Sequence, residues 1–405
     1  MDDWTLKGDI QPTAQPTYSW QTWWKGTFQK QSERHLNEAF GFRNHLVRLN
    51  NQLAYELDRK AKANGVVVGK KGYLYEREYI MAHLGQNWVG EEYIHEKAFK
   101  LKKIKDTLQQ LNVNLLVVLA PGKGSFFPEY IPDAYYEKDT SSQTNLKLYR
   151  ALFQDFAIPY LDFNEWFIQL KDTSRYPLYG QGGIHWSRYA EFLVIDSLVN
   201  YLEELQGIKM PRFHLDSIRV SAKNRHRDND IGEGMNLLFD LPTYPMAYPY
   251  YHLEKDSLSR QPNVLVVGDS YYFGLHQMGL SRKIFNNSKY WYYHRNIYPA
   301  YGPEPKLVKK VNVREELEKQ ESIILMTTDA TLPVFAFGFI EQVYASYFVI
   351  PPKERTYQDW VRHYEHQILK SAKWVRQIEA KAKKWKKTVP EMVRIDAQYM
   401  ARDKQ

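Results

Sequence analysis

The stretch Asn263-Val264-Leu265-Val266-Val267-Gly268-Asp269-Ser270-Tyr271-Tyr272-Phe273-Gly274 constrains this chain more than any other. A run of apolar, mostly β-branched residues reads as a strand buried on both faces. It halts at a glycine, and an acid and a serine follow at once. In an open α/β sheet, a buried strand delivers a polar side chain to the carboxyl edge in this way, and ligands bind at that edge. Ser270 is therefore the candidate nucleophile, with Asp269 beside it in the candidate catalytic set. A structural reading competes: Asp and Ser are both good N-caps, so the pair can serve only to start the next helix.

A second stretch bears on that choice. Gly182-Gly183-Ile184-His185-Trp186-Ser187 lies between a loop rich in Tyr, Pro and Gly (Tyr176 to Gly180) and a helical pattern of Tyr189, Leu193, Val194, Leu198 and Leu202. The pattern places His185 at a loop-to-helix junction, within reach of a strand-end serine. A strand-end Gly-Asp-Ser preceded by Gly-Ile-His-Trp-Ser resembles the SGNH hydrolase-like domain of the alginate O-acetyltransferases AlgJ and AlgX and their relatives. In that family Asp-x-His-Trp comes first and Gly-Asp-Ser later, the reverse of ordinary SGNH esterases, so the fold is described as circularly permuted. The resemblance runs from about Val68 to about Ile350 and includes Gly72-Tyr73-Leu74-Tyr75, Ala120-Pro121-Gly122-Lys123 and Phe127-Pro128-Glu129. One departure stands out: where the family has its triad aspartate, two residues before the histidine, this chain has Gly183. Either the acid comes from elsewhere, or the site works as a Ser-His dyad, or it is catalytically dead.

Helical and strand periods alternate through the middle of the chain. Helical spacing over Glu92 to Leu111 precedes a dense apolar run from Val113 to Ala120. The rhythm repeats with Leu146 to Phe156, then Ile158 to Asp162, a helix over Ile184 to Leu205, and strands at Val264 to Val267, Tyr290 to Tyr293 and Ser322 to Thr327. Apolar strands separated by helices imply a parallel sheet covered on both faces, a three-layer α/β/α sandwich. Its strand ends at Ala120, Asp162, Gly268, His294 and Thr327 are expected on one edge.

That edge supplies the other candidates. Acyl transfer by serine needs a base within about 3 Å of the hydroxyl and donors aimed at the developing oxyanion. The Ser270 amide at a helix start is one donor, and Asn296 or Thr327-Thr328-Asp329 offers a second. The missing acid has three candidates by position: Asp162, Asp228 and Asp230, each equally readable as a cap, turn or surface acid. Lys123 and Trp186 are candidates for approaching the substrate, although a lysine there also serves as a solvated or capping residue.

The flanks divide the chain into residues 1–65, 66–352 and 353–405. Met1 to Thr27, rich in Pro, Gln, Thr and Trp, reads as an extended strap, and Gln29 to Lys62 as helices broken at Gly41. Val66 to Tyr75 reads as a hairpin. Residues 207–262 read as an irregular insertion with Tyr244, Tyr248, Tyr250 and Tyr251 among prolines, and loops of that length often serve as lids or binding surfaces. Arg355 to Gln405 reads as a hairpin of two helices, the first carrying Trp360, Tyr364, Ile368, Ala372, Val375 and Ile378, the second opening at Thr388-Val389-Pro390-Glu391.

Composition excludes some classes and leaves others open. Zero cysteines exclude a disulfide framework and thiolate metal sites, and neither metal nor nucleotide cofactor is implied. No apolar run reaches the ~20 residues of a membrane span, and the acidic start Met1-Asp2-Asp3 is no signal peptide. The net charge of +8 owes much to Lys381, Lys383, Lys384, Lys386 and Lys387 near the C-terminus. These residues form a local basic face with no aromatic-lined groove, so nucleic acid is not an expected partner. They suit an anionic membrane surface or an acidic polysaccharide, or simply a solvated helix. The resemblance implies an extracytoplasmic, periplasmic protein whose N-terminal anchor has been removed. It also implies a Ser270–His185 acyl-enzyme moving acetyl groups onto a polysaccharide, with a membrane-bound acyltransferase as a possible acetyl-delivering partner. Two rivals stand beside it: a carbohydrate acetylesterase with the same residues, and a non-catalytic polysaccharide-binding or assembly protein on a decayed scaffold, the reading Gly183 favours.

Overall fold

A computed structural model describes residues 4–8, 14–137, 143–300, 305–349 and 355–404. The strands, in chain order, are β1 (Val66–Val68), β2 (Leu74–Glu76), β3 (Asn114–Ala120), β4 (Tyr160–Asp162), β5 (Arg212–Ser221), β6 (Met246–Glu254), β7 (Val264–Gly268), β8 (Tyr290–Tyr292), β9 (Asn296–Tyr298), β10 (Lys306–Leu307) and β11 (Ser322–Thr328). The main sheet has the order β10-β9-β8-β7-β11-β3-β4. Its five parallel strands β8, β7, β11, β3 and β4 are the runs expected from the sequence, and β9 and β10 add an antiparallel edge.

The central strands are apolar on both faces because both faces are covered. Leu116, Val118 and Ala120 of β3, Val266 of β7 and Ile324 and Met326 of β11 join one core with Ala190, Val194, Leu198 and Leu202 of the helix Arg188–Gln206. On the same strands Leu115, Val117, Leu119, Leu265, Val267, Ile323 and Leu325 are also buried. The helix Glu91–Gln110 packs on β3 and buries Ile94, Ala98, Leu101, Ile104 and Leu108. Each buried Val, Leu, Ile or Met side chain among these contributes roughly 1.5–3 kcal/mol relative to its exposed state, which is why these runs specify their elements strongly.

Register brings the strand ends level. Thr328 pairs with Ala120, Met326 with Gly268, and Leu119 with Asp162, so the carboxyl ends of β7, β11, β3 and β4 meet at one edge. β8 stops at Tyr292, two residues short of the expected His294. Tyr293 and His294 instead adopt left-handed φ values of 48° and 52° and turn the chain into β9.

The insertion read as irregular is a long antiparallel ribbon, β5 on β6, paired from Arg212↔Glu254 to Ser221↔Met246. Its periodicity escapes notice because most of β5 is exposed and Pro249 sits within β6. The loop joining the two strands carries Arg227, Asp228 and Asp230. Before the sheet, the strap includes a short helix, Trp20–Trp24, which Ser19 opens with a reciprocal capping box. The helices Thr27–Ala39 and Arg43–Asp58 follow, broken near Gly41.

The chain divides into two compact units, Met1–Ile340 and Glu341–Gln405. The boundary expected at residue 352 lies outside the described residues. The second unit has three helices after residue 354 where the sequence suggested two: Tyr357–Lys370, Ala372–Trp385 and Val389–Ala401. The extra break falls at Ser371, whose hydroxyl accepts from the Trp374 amide and starts a new helix. Val361, Ile368, Ile378, Ala382, Met392, Val393 and Ala397 form this unit's core. Among the described residues no helix is long and apolar enough to cross a membrane.

Candidate active site

β7 delivers Ser270 two residues beyond its last strand residue, at the turn that opens the helix Tyr272–Met278. Asp269 fixes this turn: Oδ1 accepts from the Tyr271 amide at 3.1 Å, and Oδ2 accepts from the Thr328 amide at 3.2 Å and the Thr331 hydroxyl at 2.9 Å. One buried carboxylate therefore ties the end of β7 to the end of β11. Burial raises its pKa, and the three hydrogen bonds oppose that rise.

The histidine loop is built as tightly. Ser187 caps the helix Arg188–Gln206, accepting from the Ala190 amide at 3.1 Å and donating to Pro177 O at 2.8 Å. The Tyr271 hydroxyl donates to Ile184 O at 2.5 Å, joining the residue after the serine to the residue before the histidine. His185 is 5% exposed, and its Nε2 lies 2.8 Å from Ser270 Oγ.

The acid behind the imidazole is Asp230, whose Oδ2 lies 2.5 Å from His185 Nδ1. Oδ1 of the same carboxylate accepts from the amides of Ile184 and Ile231, each at 2.9 Å, so both of its oxygens are held. Gly183 explains how an acid from a later segment reaches this place. A Cβ at Gly183 would stand 2.7 Å from both Arg227 O and Asp228 O, and one at Gly180 would stand 1.9 Å from Asp228 O. At Gly182 it would meet Asn229 Oδ1 at 1.9 Å. These bare glycines let the Arg227–Asp230 backbone lie where an acidic side chain at position 183 would need room. Asn51 of the helix Arg43–Asp58 donates to Met235 O at 2.9 Å, at the end of the short helix Asp230–Gly234 that begins at the acid.

Burial lowers the His185 pKa from its ordinary value, Asp230 works in the opposite direction, and Arg227 adds to the fall. The imidazole is therefore neutral near pH 7, the state a general base requires. Burial pushes the Asp230 pKa upward, yet His185, the Ile184 amide and Arg227 together hold it below the usual value. With Nδ1–H donated to a carboxylate, Nε2 is left as the acceptor facing Ser270.

Two residues that the sequence did not single out complete the site. Arg227 donates from Nη1 to Ser270 O at 2.5 Å and from Nη2 to His185 Nε2. The Tyr293 phenol reaches the Ser270 side chain from the turn after β8. Arg227 stands in the same short segment as Asp230, and Tyr293 at a strand end, so position alone could have marked both. Neither belongs to a motif.

Other candidates serve elsewhere. Asp162 caps the helix Phe163–Leu170 and pairs with Arg150 at 2.5 Å rather than with the imidazole. Asp228 is buried beside Tyr248 and Arg188, with its pKa pushed up to about 7 by burial. The Thr328 amide is spent on Asp269, and Asn296 lies in β9, separated from β7 by β8. The Ser270 amide has no acceptor among the described residues, which leaves it as the backbone donor at the site. Trp186 is 1% exposed and packs on Phe167 and Tyr271, so it is a core residue and not a platform for a sugar. Lys123 does not face a substrate: its buried ammonium donates to Gly180 O, Gln181 O and Gly183 O at 3.0, 2.8 and 2.6 Å and holds the histidine loop from beneath.

Residues 66–216 match the family described as SGNH hydrolase-like domain, acetyltransferase AlgX. Three solved structures are similar at low identity. The O-acetyltransferase domain of Pseudomonas putida AlgJ is 15% identical, with 70% of this chain and 99% of that one covered at a TM-score of 0.43. Pseudomonas aeruginosa AlgX is 14% identical, with 68% and 67% covered at 0.42. Bacillus cereus PatB1 is 13% identical, with 62% and 94% covered at 0.39. No curated protein sequence matches the chain. The resemblance to the AlgX-type SGNH hydrolase-like family is thus shown over residues 66–216, the stretch that carries Lys123, Gly183 and His185, with Asp230 and Ser270 beyond it.

Proposed function

We propose that this chain is an O-acyltransferase that carries an acetyl group on Ser270 and passes it to a polysaccharide hydroxyl. The observation that carries this reading is the unbroken line Ser270 Oγ, His185 Nε2, His185 Nδ1, Asp230 Oδ2, with contacts of 2.8 and 2.5 Å. In the first half-reaction Ser270 Oγ attacks the acetyl carbonyl as His185 Nε2 takes the hydroxyl proton. Collapse of the tetrahedral intermediate forms the acetyl-serine ester, breaks the bond to the donor and returns that proton to the leaving oxygen. In the second half-reaction a sugar hydroxyl repeats the attack, and Ser270 leaves with its proton restored. Asp230 holds the base in the tautomer with Nε2 free and stabilises the imidazolium while it carries the proton. The Ser270 amide, which has no acceptor among the described residues, would donate to the developing oxyanion, with the Arg227 guanidinium beside Ser270 adding positive charge.

The family match supports acetyl as the group and a polysaccharide as the acceptor. In this reading the protein works outside the cytoplasm in exopolysaccharide biosynthesis, with a membrane-bound acyltransferase supplying the acetyl group. The basic helix Ala372–Trp385 would face an anionic surface. An esterase uses the same acyl-enzyme and differs only in letting water resolve it.

The test is a chromogenic acetyl ester, assayed with and without oligosaccharide acceptors. Wild type is expected to turn over the ester and acetylate an acceptor, and Ser270→Ala to do neither. Equal rates in the two proteins would leave a binding protein on an inactive scaffold. Turnover with water as the only acceptor would make the chain an esterase.

A further inference from the structure

We propose that His214, Asp216 and His252, on the ribbon formed by β5 and β6, bind a divalent transition-metal ion of the Zn2+ type. This site is separate from the serine and histidine, and the family resemblance says nothing of it. His214 and His252 are direct cross-strand partners, and their ring centroids are 5.2 Å apart. Asp216 is the extra residue of a bulge. Leu215 pairs with Tyr251 and Ser217 with Tyr250, so Asp216 has no partner across the ribbon and leans toward the histidine pair. Its Oδ1 lies 2.6 Å from His252 Nδ1. One donor atom from each of the three side chains lies within 4.8 Å of the others, and all three residues are exposed.

Donor type selects the ion. Two imidazoles and one carboxylate suit Zn2+, Ni2+ or Cu2+, whereas Ca2+ and Mg2+ favour all-oxygen shells. Bonds of about 2.0–2.2 Å in a tetrahedron set donor separations near ~3.3 Å. Rotation of these exposed side chains would bring the donors to that spacing, with the 2.6 Å Asp216–His252 contact widening as the ion enters. Three protein donors leave a fourth position for water. An ordinary ribbon would place two histidines opposite each other without a third donor, and the bulge is what supplies it.

The placement gives the ion a mechanical task. The His214 and His252 pair stands near the Arg212↔Glu254 end of the ribbon, whereas the loop carrying Arg227 and Asp230 leaves from the Ser221↔Met246 end. A bound ion would clamp the ribbon at its base, away from the chemistry, and steady the stalk that presents the catalytic acid.

Equilibrium dialysis of the full chain against Zn2+ tests the site, with His95→Ala, an exposed histidine on the helix Glu91–Gln110, as control. Wild type and His95→Ala are expected to take up one equivalent with the same affinity. His214→Ala and His252→Ala are expected to lose affinity on the order of a hundredfold, since removing a ligand weakens binding at least as much as removing its outer partner. Zn2+ is also expected to raise the Tm of wild type but not of those two variants, with far-UV circular dichroism confirming that both are folded. Unchanged uptake by His214→Ala and His252→Ala, or no saturable uptake by wild type, would overturn the proposal.

Discussion

The substitution Asp230→Asn separates an orienting acid from a bystander, because the structure fixes what the amide must do. Oδ1 of Asp230 accepts from the amides of Ile184 and Ile231. In the variant the amide oxygen keeps that place, since both partners are donors, and the NH2 group is left facing His185 Nδ1. A donor there forces Nδ1 to accept, so the ring carries its proton on Nε2. Nε2 then has no lone pair for the Ser270 proton and also meets the Nη2 donor of Arg227. The imidazolium formed during attack loses its carboxylate as well. In serine proteases the equivalent change lowers kcat by about 10⁴, or roughly 5 kcal/mol of transition-state stabilisation. The same order is expected here, with stability changed by less than about 1 kcal/mol because both backbone hydrogen bonds survive. The assay is kcat/KM on an acetyl ester for wild type, Asp230→Asn and Asp162→Asn, alongside thermal melts. Asp162→Asn is expected to keep full activity. If Asp230→Asn stays within tenfold of wild type, or Asp162→Asn falls as far, the assignment of the acid is wrong.

Other substitutions probe the surroundings of the triad. Gly183→Asp writes the family's acid back at its usual place, yet its side chain would collide with the carbonyls of Arg227 and Asp228. Loss of activity and a lower Tm are therefore expected, and a gain in turnover would contradict the packing argument. Lys123→Met leaves three carbonyls of the histidine loop without their donor and is expected to destabilise the protein by about 3–5 kcal/mol, read from denaturant unfolding. A near-neutral effect would mean the loop does not depend on it. Activity is expected to fall as pH drops through the lowered His185 pKa, because only the neutral imidazole can accept a proton, so the acid limb of kcat/KM lies below the ordinary value of 6.5. Arg227→Met removes one of the causes of that lowering, so the limb should shift to higher pH. A limb above 6.5 in wild type, or a shift to lower pH in the variant, would be inconsistent with this electrostatic picture.

Those parts of the molecule that follow from local pattern were legible in the sequence. β3, β7 and β11 are buried on both faces, and their apolar runs announce it. The Gly-Asp-Ser turn and the histidine loop were visible for the same reason: a strand end and a helix start are both written locally. What pattern could not choose was the acid, since Asp162, Asp228 and Asp230 all stand at plausible places. Selecting Asp230 required knowing that the glycines at 180, 182 and 183 present a surface flat enough for another backbone to lie on. Lys123 and Trp186 misled because their neighbourhood in sequence is the site, whereas their side chains point beneath it. The ribbon escaped because β5 is mostly exposed, while β6 buries four consecutive residues, Met246 to Pro249, and then turns to solvent, so neither strand shows a period of two. Arg227 and Tyr293 reach Ser270 through tertiary placement: their positions beside Asp230 and at a strand end were visible, but no motif tied either to the serine.

The most direct test of the serine's role is to incubate the protein with an activated acetyl ester, quench it in acid and locate the adduct by peptide mass spectrometry. A single acetyl group on Ser270 in wild type, absent in Ser270→Ala, is the predicted result. An unmodified Ser270 during turnover, or the same acetylation pattern in Ser270→Ala, would contradict it.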